Sequence, residues 1–278
     1  MASYLRPTSL DEALAALADG PRTMLAGGTD IYPARVGRWV DDDILDVTAL
    51  AELRAIAVSD DVIRIPALAT WTDVIRAELP PAFDGLKTAA RAVGGVQIQH
   101  RGTVAGNLCN ASPAADGLPN LMALDARVEL VSASSRREVP VGEFVVGNRR
   151  TICRPDELVT AVLVPRPGDP ARSAFLKLGS RAYLVISIAM VAVVVEFADN
   201  GAISTARIVV GACSEVPQRI APAEARLVGR VPALGLADEI TPADLAGLTP
   251  IDDIRATAAY RRDAALTLVR RAVRRVLA

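Results

Sequence analysis

The chain has 278 residues, 51% hydrophobic and only 4% aromatic, with 31 basic and 32 acidic side chains and a net charge of −1. That length suits two modest domains or one domain with lobes, and the near-neutral balance with few stacking rings gives no reason to expect nucleic acid as a partner. Cys109, Cys153 and Cys213 are isolated and odd in number, which matches neither a disulfide framework nor the clustered spacing of an iron–sulfur site.

At the N-terminus, Met1-Ala2-Ser3-Tyr4-Leu5-Arg6-Pro7 lacks a charged segment followed by an apolar run, so no signal peptide is indicated and a cytoplasmic location is expected. Ser9-Leu10-Asp11-Glu12 reads as a capping box opening a helix through Ala13 to Leu17. Thr23-Met24-Leu25-Ala26 predicts a short strand, and Ile31 to Val36 one or two helical turns. Between them lies Ala26-Gly27-Gly28-Thr29-Asp30. Its two glycines can adopt positive φ and bring backbone N–H groups close to phosphate oxygens, although the same turn is also a common helix start. The chain contains no Gly-x-Gly-x-x-Gly and no P-loop, so any phosphate would be held by something other than those folds. A further strand, Ile44-Leu45-Asp46-Val47, belongs to a small α/β lobe ending near residue 57.

Beyond it, Val62 to Ile65 reads as a strand, Thr72 to Leu79 as a helix stopped by Pro80-Pro81, and Leu86 to Val93 as a second helix leading to Gly94-Gly95. His100 is the only histidine and, flanked by Gln99 and Arg101, reads as a surface loop residue; a zinc site or a Ser-His-Asp triad would depend on that one ring. A second glycine turn, Arg101-Gly102-Thr103-Val104-Ala105-Gly106-Asn107, opens a stretch running to Asp116 that is dense in small and amide-bearing residues. It reads as a polar loop, either structureless or shaped to approach a ligand, with Asn107 and Ser112 able to hydrogen-bond and Asp116 able to accept from ribose or ribityl hydroxyls. Leu118 to Leu124 then predicts a helix and Arg127 to Ser132 extended chain, with the two lobes facing each other across the glycine turns.

Pro165-Arg166-Pro167-Gly168-Asp169-Pro170 is the best linker in the chain, since its prolines forbid a continuing helix or a central strand. Ser173 to Leu176 reads as a strand followed by Lys177, one of only two lysines and, on chemistry alone, a surface cation. Ile186 to Val195 and Ile203 to Val210 are β-branched runs joined by the hairpin signal Asp199-Asn200-Gly201. The most apolar run, Leu184 to Val195, is interrupted by Ser187 and is too short to cross a bilayer as a helix, so no integral membrane segment is expected. A basic amphipathic helix from about Ile254 to Leu277 closes the chain, read as a solvated arginine face over a buried stripe.

The segments AGGTD (26–30), RGTVAGNLCNASPAAD (101–116) and KLGSRAYLVIS (177–187) together resemble the flavoprotein family of the molybdenum hydroxylases. That family includes the medium subunit of carbon monoxide dehydrogenase and the FAD domain of xanthine dehydrogenase. The resemblance implies an α+β chain: a two-lobed FAD-binding domain of the vanillyl-alcohol-oxidase/PCMH type over residues 1–167, with lobes 1–57 and 58–167, then a C-terminal antiparallel sheet with helices over 168–278. It implies an oxidoreductase subunit that passes electrons from [2Fe-2S] centres of a small partner subunit through FAD to NAD, oxygen or a quinone. A large molybdopterin-binding subunit would hydroxylate the substrate, and the assembly would be a dimer of heterotrimers. Two alternatives stay open, a self-sufficient FAD-dependent oxidoreductase and a cofactor-free assembly protein of the same fold.

Carried over by residue, the first loop, Met24, Leu25, Ala26, Gly27, Gly28, Thr29, Asp30 and Ile31, would wrap the FAD pyrophosphate with backbone amides. Thr103, Ala105, Gly106 and Asn107 would serve phosphate and nearby hydroxyls, Asp116 would add a polar contact, and Leu158 and Val159 would flank the cofactor or simply pack a strand. Lys177 becomes a candidate flavin contact. Tyr183 could cover one ring face or be an ordinary interior tyrosine with a bonded hydroxyl. No catalytic residue and no metal ligand is expected on this chain. Leu184 stands where some relatives carry an acid, which removes the basis for a carboxylate-tuned flavin potential or for the same pyridine-nucleotide acceptor.

Overall fold

In a computed structural model of the chain, residues 2–37, 41–168 and 170–278 are described; Met1 and the linker residue Asp169 lie outside the described residues. The helix Leu10–Ala18 begins where Ser9 Oγ accepts from the Glu12 N–H at 3.3 Å, and it buries Ala13, Leu14 and Leu17. The capping box is only half closed: the Glu12 carboxylate turns outward to the N–H and hydroxyl of Thr8. Strands Tyr4–Leu5, Ile44–Asp46 and Thr23–Leu25 form a parallel sheet with Ile44–Asp46 in the centre, so the edge strand Thr23–Leu25 runs straight into the first glycine bend.

A five-stranded antiparallel sheet follows in the order Ala57–Val58, Val62–Pro66, Leu158–Pro165, Arg127–Val131, Arg136–Pro140. The central strand Leu158–Pro165 is buried along nearly its whole length, as expected of a β-branched run with neighbours on both sides. Its register slips between Val159 and Ala161, leaving Thr160 as an extra residue opposite the Arg127–Val131 strand. Such a bulge re-aims side chains locally.

Five short helices lie between its strands in sequence: Trp71–Arg76, Asp84–Ala92, Val96–Arg101, Val104–Asn110 and Gly117–Ala123; Val104–Asn110 packs on the central strand, whereas Asp84–Ala92 and Gly117–Ala123 pack against strands of the C-terminal sheet. Two departures from the sequence reading fall here. The stretch after the second bend is helical rather than a loop, because Thr103 caps it and Val104, Ala105 and Leu108 bury one side. His100 likewise sits on a helix, exposed, with Nδ1 2.8 Å from Thr72 Oγ1.

The C-terminal sheet is antiparallel, in the order Ala171–Leu178, Ala189–Phe197, Ile203–Gly211, Gln218–Arg219. Alternation along Ala189–Phe197 sends Met190, Ala192 and Val194 into the core shared with the N-terminal half, and Ala189, Val191, Val193 and Val195 into a second core under the helix Ala258–Leu277. A strand buried on both faces reads as an unbroken apolar run, which accounts for the most hydrophobic stretch of the sequence. The hairpin turn closes through Ala198 and Ala202, with Gly201 at φ 78°. The last helix starts at Thr257, later than the sequence suggests, because the Asp253 carboxylate accepts from the N–H groups of Arg255 and Ala256 and folds residues 252–256 into a turn.

Candidate functional site

The two glycine bends meet. Gly27 lies so close to the second bend that a methyl group there would overlap the Arg101 carbonyl oxygen, and a Cβ on Gly102 would stand 3.4 Å from Thr29 Oγ1. Asn110 Nδ2 donates to Asp30 Oδ1 at 3.1 Å while Asn110 Oδ1 accepts from Arg149 Nη1 at 2.6 Å, a polar tie between the bends. The second bend is also stitched to the chain before Trp71, by Trp71 N–H to Gly102 O at 3.1 Å and Val104 N–H to Ala69 O at 3.0 Å.

A cavity of about 570 Å³ opens between them, walled on a third side by Leu158 and Val159 at the bulged start of the central strand. From the first bend Met24, Ala26, Gly27, Gly28, Thr29, Asp30 and Ile31 line it; Leu25 is buried and does not. From the second, Thr103, Ala105, Gly106 and Asn107 line it. Gly28 holds φ 71°, a left-handed conformation natural to glycine. The amides of Gly27, Gly28, Thr29 and Asp30 donate to no protein acceptor among the described residues, which leaves consecutive N–H groups for an anion. Thr103 Oγ1 accepts from the Gly106 N–H at 2.9 Å, fixing the start of its helix.

Arg22 and Arg154 also line the cavity; Arg154 brings positive charge to it, whereas the Arg22 guanidinium is engaged by the Ala16 carbonyl at 3.0 Å and Ser3 Oγ at 2.9 Å. Glu157 is the nearby counter-charge, but Arg137 holds its carboxylate at 2.6 and 2.8 Å and keeps its pKa below the ordinary glutamate range. Neither arginine is visible as a site residue in the sequence, where arginine is abundant and neither Arg22 nor Arg154 falls in a cluster. Trp71, Cys109 and Cys153 are further lining residues that sequence reasoning passes over. Burial pushes the Cys153 thiol up to about 11, so it stays protonated at neutral pH. Among the described residues no group of three or more His, Cys, Asp or Glu side chains is gathered to hold a metal ion.

Asp116 and Lys177 lie outside the cavity lining and are paired with each other at 2.6 Å, both largely buried. Lys177 is therefore no surface cation. Burial raises the Asp116 pKa, against the lowering effect of Lys177 and of the Ser187 hydroxyl. Tyr183 is 80% exposed, in an irregular segment between strands, so the alternative of an interior tyrosine does not hold.

Residues 1–167 match the family described as the FAD binding domain in molybdopterin dehydrogenase, and residues 174–276 match the CO dehydrogenase flavoprotein C-terminal domain. The chain belongs to the FAD-binding subunits of the molybdenum hydroxylases. It is 34% identical to the nicotinate dehydrogenase FAD-subunit of Eubacterium barkeri over 81% of this chain and 79% of that one. With the xanthine dehydrogenase FAD-binding subunit of Escherichia coli O157:H7 it shares 30% identity over 100% of this chain and 96% of that one. Its fold superposes on reconstituted CO dehydrogenase from Oligotropha carboxidovorans with a TM-score of 0.90 at 27% identity, covering 100% of this chain and 98% of that one. This flavoprotein is thus an oxidoreductase subunit whose cofactor is FAD.

Its cavity fits that cofactor on independent grounds. Asn107 Oδ1 is buried without a hydrogen-bond partner and belongs to a residue that lines the cavity, so it awaits a donor such as a hydroxyl. The unpaired amides of residues 27–30 await an acceptor, and the volume is of the size small-molecule and cofactor sites have.

Proposed function

We propose that the two bends jointly hold FAD in this cavity, and that the chain serves as the electron-transfer component of a molybdenum hydroxylase complex. In this reading the backbone amides of Gly27, Gly28, Thr29 and Asp30 take the diphosphate, Arg154 offsets its charge, and Asn107 Oδ1 accepts from a cofactor hydroxyl. Leu158 and Val159 supply apolar walls. Tyr183, exposed in the segment beside the cavity, acts at the isoalloxazine end, and the buried Asp116–Lys177 pair anchors that segment. Bound FAD collects electrons one at a time and releases them in pairs, and the protein contributes position, charge and access. The partners are a large molybdopterin-binding subunit and a small [2Fe-2S] subunit, and the external acceptor is NAD, oxygen or a quinone.

The observation that carries this reading is the direct contact of the two bends around a cavity lined by unpaired amide donors of the first bend and by Asn107 of the second, whose buried carbonyl oxygen has no partner. The cavity lining offers no histidine, and its two carboxylates are already engaged, Asp30 by the Asn110 amide and Glu157 by Arg137, which argues against a self-sufficient oxidase with its own base over the ring. Affinity purification from the native host, with flavin absorbance and metal analysis, tests it. A yellow chain that brings iron and molybdenum with its partners is expected; a yellow chain active alone, or a colourless chain that stays so after FAD addition, overturns the partner reading or the cofactor reading respectively.

A further inference from the structure

One buried charge cluster joins the wall of the cavity to an exposed segment. Asp116 is 7% exposed, and its two carboxylate oxygens are divided between two donors: Oδ2 accepts from Lys177 Nζ at 2.6 Å and Oδ1 from Ser187 Oγ at 2.8 Å. Lys177 stands at the end of the strand Ala171–Leu178, and Ser187, itself only 2% exposed, stands just before the strand Ala189–Phe197. One carboxylate therefore grips both roots of the connecting segment 179–186.

Between those roots the chain has no regular structure. Tyr183, Leu184 and Ile186 are exposed, Leu184 is left-handed at φ 49°, and the Arg181 guanidinium closes a local loop onto the Leu184 carbonyl. The segment lies beside the cavity: a Cβ on Gly95 would stand 3.4 Å from Leu184 Cδ2, and Gly95 sits between Val93 and Ile98 of the lining. On the other side of Asp116, Gly117 is pressed against the ring of Trp71 and lies close to Asn107 Oδ1, both in the cavity wall.

We infer that Ser187 is a positioning residue which, through Asp116, couples occupancy of the FAD cavity to the order of segment 179–186. The inference rests on the proposed cofactor site. A ligand engaging Asn107 immobilises the wall against which Gly117 packs, and with it the neighbouring aspartate that anchors both ends of the segment. Hydrogen bonds to a buried carboxylate are among the stronger ones, so loss of the Ser187 donor frees one root while leaving every lining residue unchanged.

Trypsin cleavage after Arg181, followed by mass spectrometry on the full chain with and without added FAD, tests this. In the wild-type chain FAD is expected to slow that cleavage. In Ser187→Ala the FAD-free chain is expected to be cut about tenfold faster than wild type, in proportion to the opened population. The variant should still retain flavin absorbance but lose most of the protection FAD confers at Arg181, and Ser187→Thr, which keeps the hydroxyl, should restore it. Should the alanine variant not accumulate folded, Ser187→Cys, close in size but a weak donor, provides the same comparison. Wild-type cleavage rates with full FAD protection in the variant would overturn the inference. If the wild-type chain takes up no FAD, the cofactor reading fails instead, and the clamp on the segment is then decided by the FAD-free rates alone.

Discussion

Gly27 has no room for a side chain because the Arg101 carbonyl occupies the place where one would go. Gly27→Ala must push the bends apart, and it is expected to lower FAD affinity by at least about tenfold, the equivalent of losing one good hydrogen bond to a charged group. Equilibrium titration by flavin fluorescence reads this directly. Gly106→Val acts differently: a Cβ there would stand 2.7 Å from Thr103 Oγ1, the atom that caps the helix. It is expected to abolish FAD retention on gel filtration while helical content by circular dichroism stays near wild type, since losing a cap costs only about 1 kcal/mol. Unchanged retention would show that this turn does not approach the phosphates. Both glycine bends were legible in the sequence because glycine at a turn is a local signal. The pairing of Asp116 with Lys177 and Ser187 was not, because two long-range strand connections bring those three together.

At the level of elements, the five-stranded sheet is locked by one buried acid. Glu129, fully buried on the Arg127–Val131 strand, accepts from Arg64 Nη1 and Nη2 at 2.9 and 2.6 Å, from Arg136, and from the hydroxyl of the bulged Thr160. Burial works against its charge, but the donors prevail and hold its pKa down to about 2. A pKa depressed in the folded state contributes stability that is full above the unfolded value near 4.3 and is lost as pH falls toward 2. Glu129→Gln is therefore expected to destabilise the chain by about 3 kcal/mol at neutral pH and to flatten the loss of stability between about pH 4 and pH 2. Urea unfolding midpoints at neutral and acid pH check both signs; an unaltered acid limb would show that the sheet does not depend on this carboxylate. The β-branched strands and their hairpin were legible from period and turn chemistry. The helix Val104–Asn110 was not, since a run of small and amide-bearing residues is compatible with loop or helix until a cap and a core surface select one.

On the scale of the whole molecule, two cores share the strand Ala189–Phe197, and the cavity lies in the N-terminal half where the parallel sheet, the bulged central strand and the capped helix converge. Composition and the absence of clustered ligands pointed away from metal chemistry on this chain, but only the folded arrangement shows that two bends far apart in sequence meet around one cavity. The cavity-lining arginines, and the segment that Asp116 anchors, emerge only from that arrangement.

The most direct measurement is a titration of the purified chain with FAD, followed by gel filtration and absorbance. The account predicts one tightly held flavin per chain in the wild type and a marked loss in Gly27→Ala. A wild-type chain that elutes colourless, or a Gly27→Ala chain that keeps its flavin at full occupancy and affinity, would contradict it.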